Sequence, residues 1–325
     1  MAELKRLAVL DDYQGAAASR GPWDRLKGRV DVTFFHDSLT DHDALAARLA
    51  PFDAVMLIRE RTPLPRALLE RLPRLRLLIT AGGRNRSVDA EACDELGIAF
   101  CGTPSVGAPT VDLTWGLIIG LLRDIPAQQQ ALREGRWQTG VGLGLEDLCL
   151  GVVGLGNLGG RVARVAQAFG MKVIAWSPNL TDEKAAAAGA TRVSKAALFA
   201  EADVVTVHMV LSDRSRGLIG AAELNAMKPG AVLVNTSRGP LVDQPALVEA
   251  LGSRRIAGAA LDVYDREPLP PGHPLLSCPN TLLTPHLGYV TDQNYRAYFA
   301  AAVEAVEAWL AGQPLRLPLG KAAAG

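Results

Sequence analysis

The sequence contains few of the residues that build disulfide-stabilised or metal-binding proteins. Its only cysteines are Cys93, Cys101, Cys149 and Cys278 among 325 residues, and they show neither C-x-x-C spacing nor nearby paired histidines. We therefore expect no disulfide framework and no metal site. Reduced and mostly buried thiols are the simplest interpretation of these cysteines.

The sequence also lacks an excess of charge and a long apolar run. Lysine plus arginine equals aspartate plus glutamate at 34 each, so no overall charge would attract nucleic acid or an anionic membrane. No apolar run approaches the roughly 20 residues of a membrane span. Asp11 and Asp12 stand where a signal peptide would still be apolar. These features predict a cytoplasmic protein whose partner is a small molecule, with no nucleic-acid or membrane partner.

The length and the apolar content are sufficient for two globular lobes. The chain has 325 residues, of which 49% are hydrophobic. Strand-like and helix-like segments alternate in the first hundred residues and again after Ser177, a pattern that predicts parallel α/β sheets. Predicted helices include Leu64–Leu72, Val111–Leu122 and the alanine-rich Tyr295–Leu310.

One glycine-rich segment carries the clearest chemical signal. The apolar run Leu150–Val153 leads into three glycines at G-x-G-x-x-G spacing, and a predicted helix, Arg161–Phe169, and a strand, Lys172–Trp176, follow. In such a strand–turn–helix unit the glycines allow a tight turn and a close approach to a pyrophosphate, which the helix N-terminus attracts. The segment therefore predicts dinucleotide binding rather than a simple packing turn.

The residue after the second strand bears on the choice of cofactor. An NAD-binding unit usually has an acidic residue there, which binds the ribose hydroxyl groups. This chain has Ser177, so no carboxylate would repel a 2′-phosphate, and Asn179 and Thr181 could donate hydrogen bonds to one. The nearest cation is Lys184, and no arginine stands beside the serine. We predict NADP or NAD as the cofactor, with NADP favoured.

Two segments of the first lobe follow predicted strands and could bind an anion. Arg59 and Arg61 follow the Ala54–Ile58 run, and Gly82 and Gly83 follow Leu75–Thr80. Ligands of parallel sheets bind at the carboxyl ends of strands, where successive glycine amides can hold a carboxylate. The alternatives are that the arginines are solvated loop charges and that the glycines form only a turn.

The Val111–Leu122 segment is apolar on nearly every face. A helix with so little polar surface is expected to be buried all round. At about a dozen residues it is too short to cross a bilayer. We expect it to pack between lobes or between subunits.

Three segments near the end of the chain place ionisable side chains after predicted strands. They contain Arg238 in N-T-S-R-G, Glu267 in L-D-V-Y-D-R-E-P and His286 in T-P-H-L-G. Taken singly, each has another interpretation: a surface cation, a loop carboxylate or a buried structural histidine. Together with the glycine segment they resemble the D-isomer-specific 2-hydroxyacid dehydrogenase family, and the resemblance extends from Met56 to Gly288.

The resemblance implies an oxidoreductase that transfers hydride between NAD(P)H and a small 2-keto acid, with glyoxylate or hydroxypyruvate favoured. By motif, the catalytic residues of the family fall on Arg238, Glu267 and His286. His286 would be the general acid and base, Glu267 would hold its imidazole, and Arg238 would bind the carboxylate and carbonyl of the substrate. Asp262 resembles the family aspartate that contacts the nicotinamide carboxamide.

The same resemblance and the motifs above predict the complete site. The cofactor is expected to contact Gly154, Leu155, Gly156, Asn157, Leu158, Gly159, Ser177, Asn179, Thr236, Asp262 and Gly288, and the substrate is expected to contact Arg59, Gly82, Gly83 and Arg238. The implied fold is α/β, with two Rossmann-like or flavodoxin-like lobes of parallel sheet and an active site in the cleft between them.

The family topology also implies the domain assignment and the assembly. Residues 1–103 plus 290–325 would form the substrate domain, and residues 104–289 would form the dinucleotide-binding domain. A homodimer formed through the dinucleotide-binding domain is expected, and it would explain the apolar segment at Val111–Leu122.

Two departures from the family pattern leave the substrate open. Tyr289 stands where many members have a small residue, and the first-lobe loop reads Gly83-Arg84-Asn85-Arg86. A substrate with a second anionic group is compatible with that loop. The alternatives are a non-catalytic dinucleotide sensor of the corepressor type and a phosphoglycerate-type dehydrogenase. A formate-type enzyme would pair its histidine with glutamine, which the Glu267 motif disfavours.

Overall fold

The computed structural model describes residues 4–105 and 107–320. The chain divides into two compact units, one comprising Met1–Val106 and Val290–Gly325 and the other Gly107–Tyr289. The boundaries between the units fall after residues 106 and 289. The sequence predicted boundaries after residues 103 and 289. Residues 104 and 105 therefore belong to the first unit.

The first unit is built on a five-stranded parallel sheet with the order β2-β1-β3-β4-β5. Its strands are β1 (Lys5–Val9), β2 (Val30–Phe34), β3 (Ala54–Leu57), β4 (Leu77–Thr80) and β5 (Ala99–Gly102). Every residue of β3 and β4 is buried, as their unbroken apolar runs predict. The strand order is the flavodoxin-like one, which confirms the predicted α/β lobe.

Short helices connect these strands: α1 (Ala17–Arg20), α2 (His42–Leu49), α3 (Arg66–Leu69) and α4 (Ala90–Glu95). Aspartate caps begin two of them. Asp41 accepts a hydrogen bond from the Ala44 amide, and Asp89 accepts one from the Ala92 amide. Such caps satisfy amides that have no partner inside the helix.

The helix predicted at Leu64–Leu72 is wrong in its extent, because α3 spans only Arg66–Leu69. Leu64 is extended and forms a parallel bridge with Val88, and its amide donates to the Ser87 carbonyl. Pro65 then occupies the N-cap position. The backbone pairing of Leu64 removes it from the helix, although its side chain fits the apolar pattern.

The second unit contains a seven-stranded parallel sheet with the order β12-β11-β10-β9-β6-β7-β8. Its strands are β6 (Cys149–Val153), β7 (Lys172–Trp176), β8 (Thr191–Arg192), β9 (Val204–Val207), β10 (Val232–Asn235), β11 (Gly258–Leu261) and β12 (Thr281–Leu283). The strand order reverses direction at β6, as in the doubly wound dinucleotide-binding fold. The predicted Rossmann-like lobe is thereby confirmed.

Helices cover both faces of this sheet: α5 (Ala108–Leu122), α7 (Asn157–Ala168), α8 (Asp182–Ala187), α9 (Lys195–Glu201), α10 (Ala221–Ala226) and α11 (Gln244–Gly252). A further helix, α6 (Ile125–Arg133), packs against α5. Alternate strand residues enter two different apolar clusters. Val205 and Leu233 belong to one, and Val152 and Val234 belong to the other. This alternation follows from the two-residue period of a strand.

Helix α5 is buried over only part of its surface within one chain. Trp115 and Ile118 are buried, but Asp112 and Gly116 are exposed, so the helix is not buried all round within one chain. The exposed residues are four apart and therefore lie on one face. Covering of this face by a second subunit stays a prediction.

The last helix, α12 (Asp292–Leu310), belongs to the first unit. It starts one turn before the predicted Tyr295, because Thr291 caps it by accepting a hydrogen bond from the Asn294 amide. Tyr295 and Phe299 are buried, and Phe299 packs against Trp23. Among the helices of the described residues, none has both the length and the apolar character that crossing a membrane requires.

Candidate active site

The glycine segment lies where β6 meets α7. Gly154 has a φ of +99°, and a Cβ on it would lie 2.7 Å from the His208 carbonyl oxygen. A Cβ on Gly159 would lie 2.1 Å from the Gly154 carbonyl oxygen. Both positions therefore require glycine for the protein's own packing. A Cβ on Gly156 would meet no atom within 4 Å, so the surface of the loop at Gly156 is open to a ligand.

The start of α7 is suited to bind an anion. Its N-cap is Gly156, which provides no side-chain cap. The first amide with a carbonyl partner inside the helix is that of Gly160, which donates to Gly156. The amides of Asn157, Leu158 and Gly159 precede that bond, at the positive end of the helix dipole. This open cradle of amides fits a dinucleotide pyrophosphate.

Ser177 follows β7 and contacts the glycine loop directly. Its Oγ accepts a hydrogen bond from the Leu155 amide at 3.0 Å. The Leu155 amide is thus engaged within the protein, whereas the sequence assigned Leu155 to the cofactor. The serine therefore fastens the loop to the end of β7, a function that the sequence did not indicate. Asn179 is exposed in the turn that follows.

Arg238 follows β10 in a turn that Asn235 shapes. The Asn235 side chain is buried, accepts from the Ser237 amide at 3.0 Å and donates to the Arg238 carbonyl at 2.9 Å. The Arg238 guanidinium donates to the Ser237 carbonyl at 2.7 Å. These bonds hold the half-buried Arg238 just beyond the end of its strand.

His286 and Glu267 form the pair that the sequence predicted. The His286 Nδ1 lies 2.5 Å from the Glu267 Oε2, and the other carboxylate oxygen accepts from the Tyr264 amide at 2.8 Å. Because a carboxylate can only accept, Nδ1 carries the proton and donates it. Nε2 is then the nitrogen that can exchange a proton with a ligand.

The backbone of His286 adopts a strained conformation that Asp262 holds in place. His286 has a φ of +53°, which is uncommon for a residue with a side chain and costs about 1 kcal/mol or more. Asp262 is fully buried and accepts from the amides of Leu287 at 2.7 Å and Gly288 at 2.8 Å. Thr284 also donates to it at 2.6 Å. This carboxylate therefore clamps the turn that carries His286.

The charge of Asp262 is affected by its burial and by its hydrogen bonds. Burial raises its pKa above the ordinary value. The hydrogen bonds from Thr284, Leu287 and Gly288 and the charge of His286 act in the opposite direction but do not cancel the effect. The hydrogen bonds therefore offset part of the free-energy cost of burying the Asp262 carboxylate, which holds the turn.

A second histidine follows a strand of the same sheet but differs in its surroundings. His208 follows β9, and its Nε2 lies 2.9 Å from the Thr206 hydroxyl. Burial lowers the pKa of His208 to about 4, so its imidazole is neutral near pH 7. His286 is therefore the better candidate for a proton donor.

Tyr289 stands beside the His286 imidazole. The two ring centroids are 5.4 Å apart and the rings are inclined at 74°, an edge-to-face arrangement. Tyr289, which departs from the family pattern, thus packs directly against the imidazole of the predicted general acid.

The first unit brings Arg59 and Gly82 together. Arg59 has a φ of +62° and donates to the Ala81 carbonyl at 3.2 Å, and a Cβ on Gly82 would lie 1.9 Å from its guanidinium. The Gly82 amide donates to the Thr103 hydroxyl at 2.9 Å. The Gly82 amide is thus engaged within the protein, and the assignment of Gly82 and Gly83 to the substrate stays a prediction. Gly83 is exposed.

Asn85 and Arg61 make contacts here that the sequence did not predict. Asn85 donates to the Arg59 carbonyl at 2.8 Å and to the Thr80 hydroxyl at 3.0 Å, which holds Arg59 in its left-handed conformation. Arg61 donates to the Asp11 carbonyl at 2.6 Å and its guanidinium lies over the Tyr13 ring. Arg61 is thus bound within the protein rather than being a solvated loop charge.

The match to a family model decides what kind of protein this is. Residues 115–288, more than half of the chain, match the NAD-binding domain of D-isomer specific 2-hydroxyacid dehydrogenases. The chain belongs to the D-isomer-specific 2-hydroxyacid dehydrogenase family. It is an NAD-dependent dehydrogenase of D-2-hydroxy acids.

Relatives of this dehydrogenase carry several substrate names. It is 38% identical to a glyoxylate reductase of Aeropyrum pernix over 256 residues, which are 76% of each protein. It is 29% identical to a hydroxypyruvate reductase of Blautia hydrogenotrophica over 88% of this chain and 91% of that one. The crystal structure of a phosphoglycerate oxidoreductase from Vibrio cholerae shares 38% identity and a TM-score of 0.90, and covers 95% of this chain and 100% of that one.

These similarities confirm the family resemblance and the prediction of an enzyme. They do not support the alternative of a non-catalytic sensor. Because the relatives differ in their named substrates, the similarities leave the 2-hydroxy acid of this dehydrogenase open.

Proposed function

We propose that this dehydrogenase reduces a small 2-keto acid with NADPH or NADH, with glyoxylate or hydroxypyruvate as the favoured substrate. The observation that carries the proposal is the His286–Glu267 pair, in which Asp262 holds the turn that carries His286. This pair and the open glycine loop both follow strands of the seven-stranded sheet. A bound nicotinamide supplies or accepts the hydride. The protein must supply a proton, a site for the substrate carboxylate and a fixed geometry.

His286 gives the proton in the proposed reaction. The Glu267 carboxylate lies 2.5 Å from Nδ1 and accepts its proton in a hydrogen bond, which orients the ring. The proton on Nε2 then passes to the carbonyl oxygen of the keto acid as the hydride reaches the carbonyl carbon. In the reverse direction the neutral imidazole takes the proton from the hydroxyl group.

Arg238 binds the substrate carboxylate and carbonyl oxygen in this proposal. Its planar guanidinium can donate to two acceptors at once, which a lysine cannot do with the same geometry. We also propose that Arg59 and the Gly83 amide contribute to binding of the carboxylate, and that Gly82 acts by packing against Arg59. Asp262 is proposed both to hold the turn and to accept from the nicotinamide carboxamide.

The test is oxidation of NADPH or NADH, followed at the absorption band of the reduced nicotinamide. Glyoxylate, hydroxypyruvate, pyruvate and phenylpyruvate would each be offered, and 3-phosphoglycerate would be tested with the oxidised cofactors. Glyoxylate or hydroxypyruvate is expected to give the highest kcat/KM. A clear preference for 3-phosphoglycerate would favour the phosphoglycerate-type alternative, which the name of the Vibrio cholerae relative suggests.

Cofactor choice gives the first specific prediction. Ser177→Asp would introduce a carboxylate where a 2′-phosphate is expected, so we predict a shift of preference toward NAD of about tenfold or more. Ala187→Asp, at an exposed position of α8, provides a charge-matched control. The ratio of kcat/KM with NADPH to kcat/KM with NADH measures the effect. An unchanged ratio would mean that other residues determine the cofactor.

We further propose that the dehydrogenase is a homodimer formed through its second unit. The exposed face of α5 and the exposed apolar side chains of Trp137, Val141 and Leu143 support this assembly. Exposed apolar residues clustered within one segment are often covered in an assembly.

A further inference from the structure

A chain of hydroxyl groups connects α5 to the end of β10. Thr114 is buried in the second turn of α5, and its Oγ1 lies 2.7 Å from the Thr110 carbonyl oxygen and 2.9 Å from the Thr236 Oγ1. A hydroxyl group has one proton, and a carbonyl oxygen can only accept. Thr114 therefore donates to Thr110, and Thr236 donates its own proton to Thr114. The Thr236 oxygen is then left with acceptor capacity alone.

Thr236 stands beside another acceptor. Asn235 is paired with Leu261 in the β10–β11 register, so Thr236 and Asp262 are neighbours just beyond the ends of adjacent strands. The Asp262 carboxylate also only accepts, and the three hydrogen bonds that it receives leave part of its capacity unused. Two acceptors side by side would suit a ligand group that has two N–H donors.

The position of this acceptor pair agrees with the expected position of the nicotinamide. The glycine loop follows β6, and the strand order β6-β9-β10-β11 places the acceptor pair between two and three strands away. At about 4.8 Å between neighbouring strands, this separation is roughly 12 Å along the edge of the sheet. An extended dinucleotide with its pyrophosphate on the glycine loop can place its nicotinamide at that distance. The primary carboxamide of nicotinamide has two N–H donors.

We propose that Thr114 is a positioning residue for cofactor recognition, because it accepts the proton of Thr236 and so keeps the Thr236 oxygen as an acceptor for the nicotinamide carboxamide. Thr114 itself is buried in α5 and acts only through Thr236. Without Thr114, the Thr236 hydroxyl can rotate and present its proton to the ligand instead. This inference rests on the cofactor-binding part of the proposed function and not on the identity of the substrate.

The experiment compares two dinucleotides that differ in one group. In the 3-acetylpyridine analogue of the cofactor a methyl group replaces the amide nitrogen, so the carbonyl oxygen is kept and both N–H donors are lost. Dissociation constants for the cofactor and for the analogue would be measured by titration calorimetry, with no substrate present. The variants are Thr114→Val, which keeps the shape but not the hydroxyl, Thr114→Ser, which keeps the hydroxyl, and Thr236→Val.

The measured quantity is the ratio of the two dissociation constants. The unsubstituted protein is expected to bind the carboxamide form about 5- to 10-fold more tightly than the analogue. Thr114→Val should lower this preference about threefold, Thr236→Val should do the same, and the double variant should lose no more than either one. Thr114→Ser should retain the full preference.

Three results would overturn the proposal. Equal weakening of both dinucleotides by Thr114→Val would show a merely structural effect of the threonine. An unchanged preference in Thr236→Val would show that its oxygen does not contact the carboxamide, and this arm remains informative if Thr114→Val does not fold. Failure of the unsubstituted protein to bind either dinucleotide would overturn the cofactor site itself, whereas binding without turnover would count only against the proposed substrates.

Discussion

At the scale of single residues, the site depends on side chains that hold other side chains. Asp262 has no exposed surface and receives three hydrogen bonds from the residues around His286. Glu267 uses one oxygen for His286 and the other for the Tyr264 amide. The predicted proton donor is therefore fixed at both its ring and its backbone, which favours transfer along one direction.

Asp262→Asn tests this dependence. An asparagine can present an oxygen to one of the two amides but must turn its own N–H groups toward the other, which leaves buried donors unsatisfied. We predict that kcat falls about 100-fold and that the free energy of unfolding falls by about 1–3 kcal/mol. Steady-state kinetics and urea unfolding measure the two effects.

Asp203→Asn provides the matched control for that substitution. Asp203 likewise accepts from a backbone amide, that of Cys149, at 2.8 Å, but it lies before β9 at the opposite end of the sheet. Asp203→Asn should lower the free energy of unfolding with little effect on kcat. An equal loss of kcat in both variants would mean that Asp262 acts only through global stability.

At the scale of elements, the sequence predicts most of what the structure shows, because strands and the glycine turn are local patterns. The run Leu150–Val153 and the glycines after it are recognisable from spacing alone, and β7 spans the predicted Lys172–Trp176. Helix α3 begins later than predicted because Leu64 pairs with Val88, a contact across 24 positions of the chain that no local pattern reveals.

The same limit applies to the candidate site. Arg238, Glu267 and His286 could be predicted because each follows its own strand in a recognisable motif. The clamp of Asp262 on residues 287 and 288, the bond between Ser177 and the Leu155 amide, and the bond between Thr103 and Gly82 could not. Each of them joins positions that only the folded sheet brings together.

The glycine loop gives a prediction at this scale. Gly156→Ala adds a methyl group where the protein has no atom within 4 Å, so the melting temperature should change little while the dissociation constant for NADPH or NADH rises about tenfold or more. Gly159→Ala would instead place a Cβ 2.1 Å from the Gly154 carbonyl oxygen. That variant should lose both stability and binding.

Calorimetric melting and cofactor titration of the two variants distinguish these effects. Gly160→Ala, one residue farther along α7, meets no atom within 4 Å and serves as the control for helix stability. Normal cofactor affinity in Gly156→Ala would contradict the placement of the pyrophosphate on this loop.

At the scale of the whole molecule, the chain contains two parallel-sheet units of different topology. The five-stranded unit carries Arg59 and the Gly82–Gly83 loop, and the seven-stranded unit carries the glycine loop and the His286–Glu267 pair. The assignment of the first unit to the substrate and of the second to the cofactor remains our proposal. The cytoplasmic location stays a prediction of the sequence.

The proposed homodimer can be tested on the exposed face of α5. A Cβ on Gly116 would meet no atom of the same chain within 4 Å and the position is exposed, so Gly116→Arg should leave the monomer folded. If a second subunit covers this face, the bulky charge should convert the dimer into monomers in sedimentation velocity. Gly230→Arg, at another open and exposed position, should remain a dimer. A monomeric unsubstituted protein would contradict the proposed assembly.

The most direct test of the central claim is a paired measurement on His286→Gln: its turnover of the best keto acid and its dissociation constant for the reduced cofactor. His42→Gln, at an exposed position in α2, is the matched control and should behave as the unsubstituted enzyme. We predict that His286→Gln lowers kcat about 10²- to 10⁴-fold while the cofactor dissociation constant changes less than about threefold. Turnover within tenfold of the unsubstituted enzyme would show that another group donates the proton.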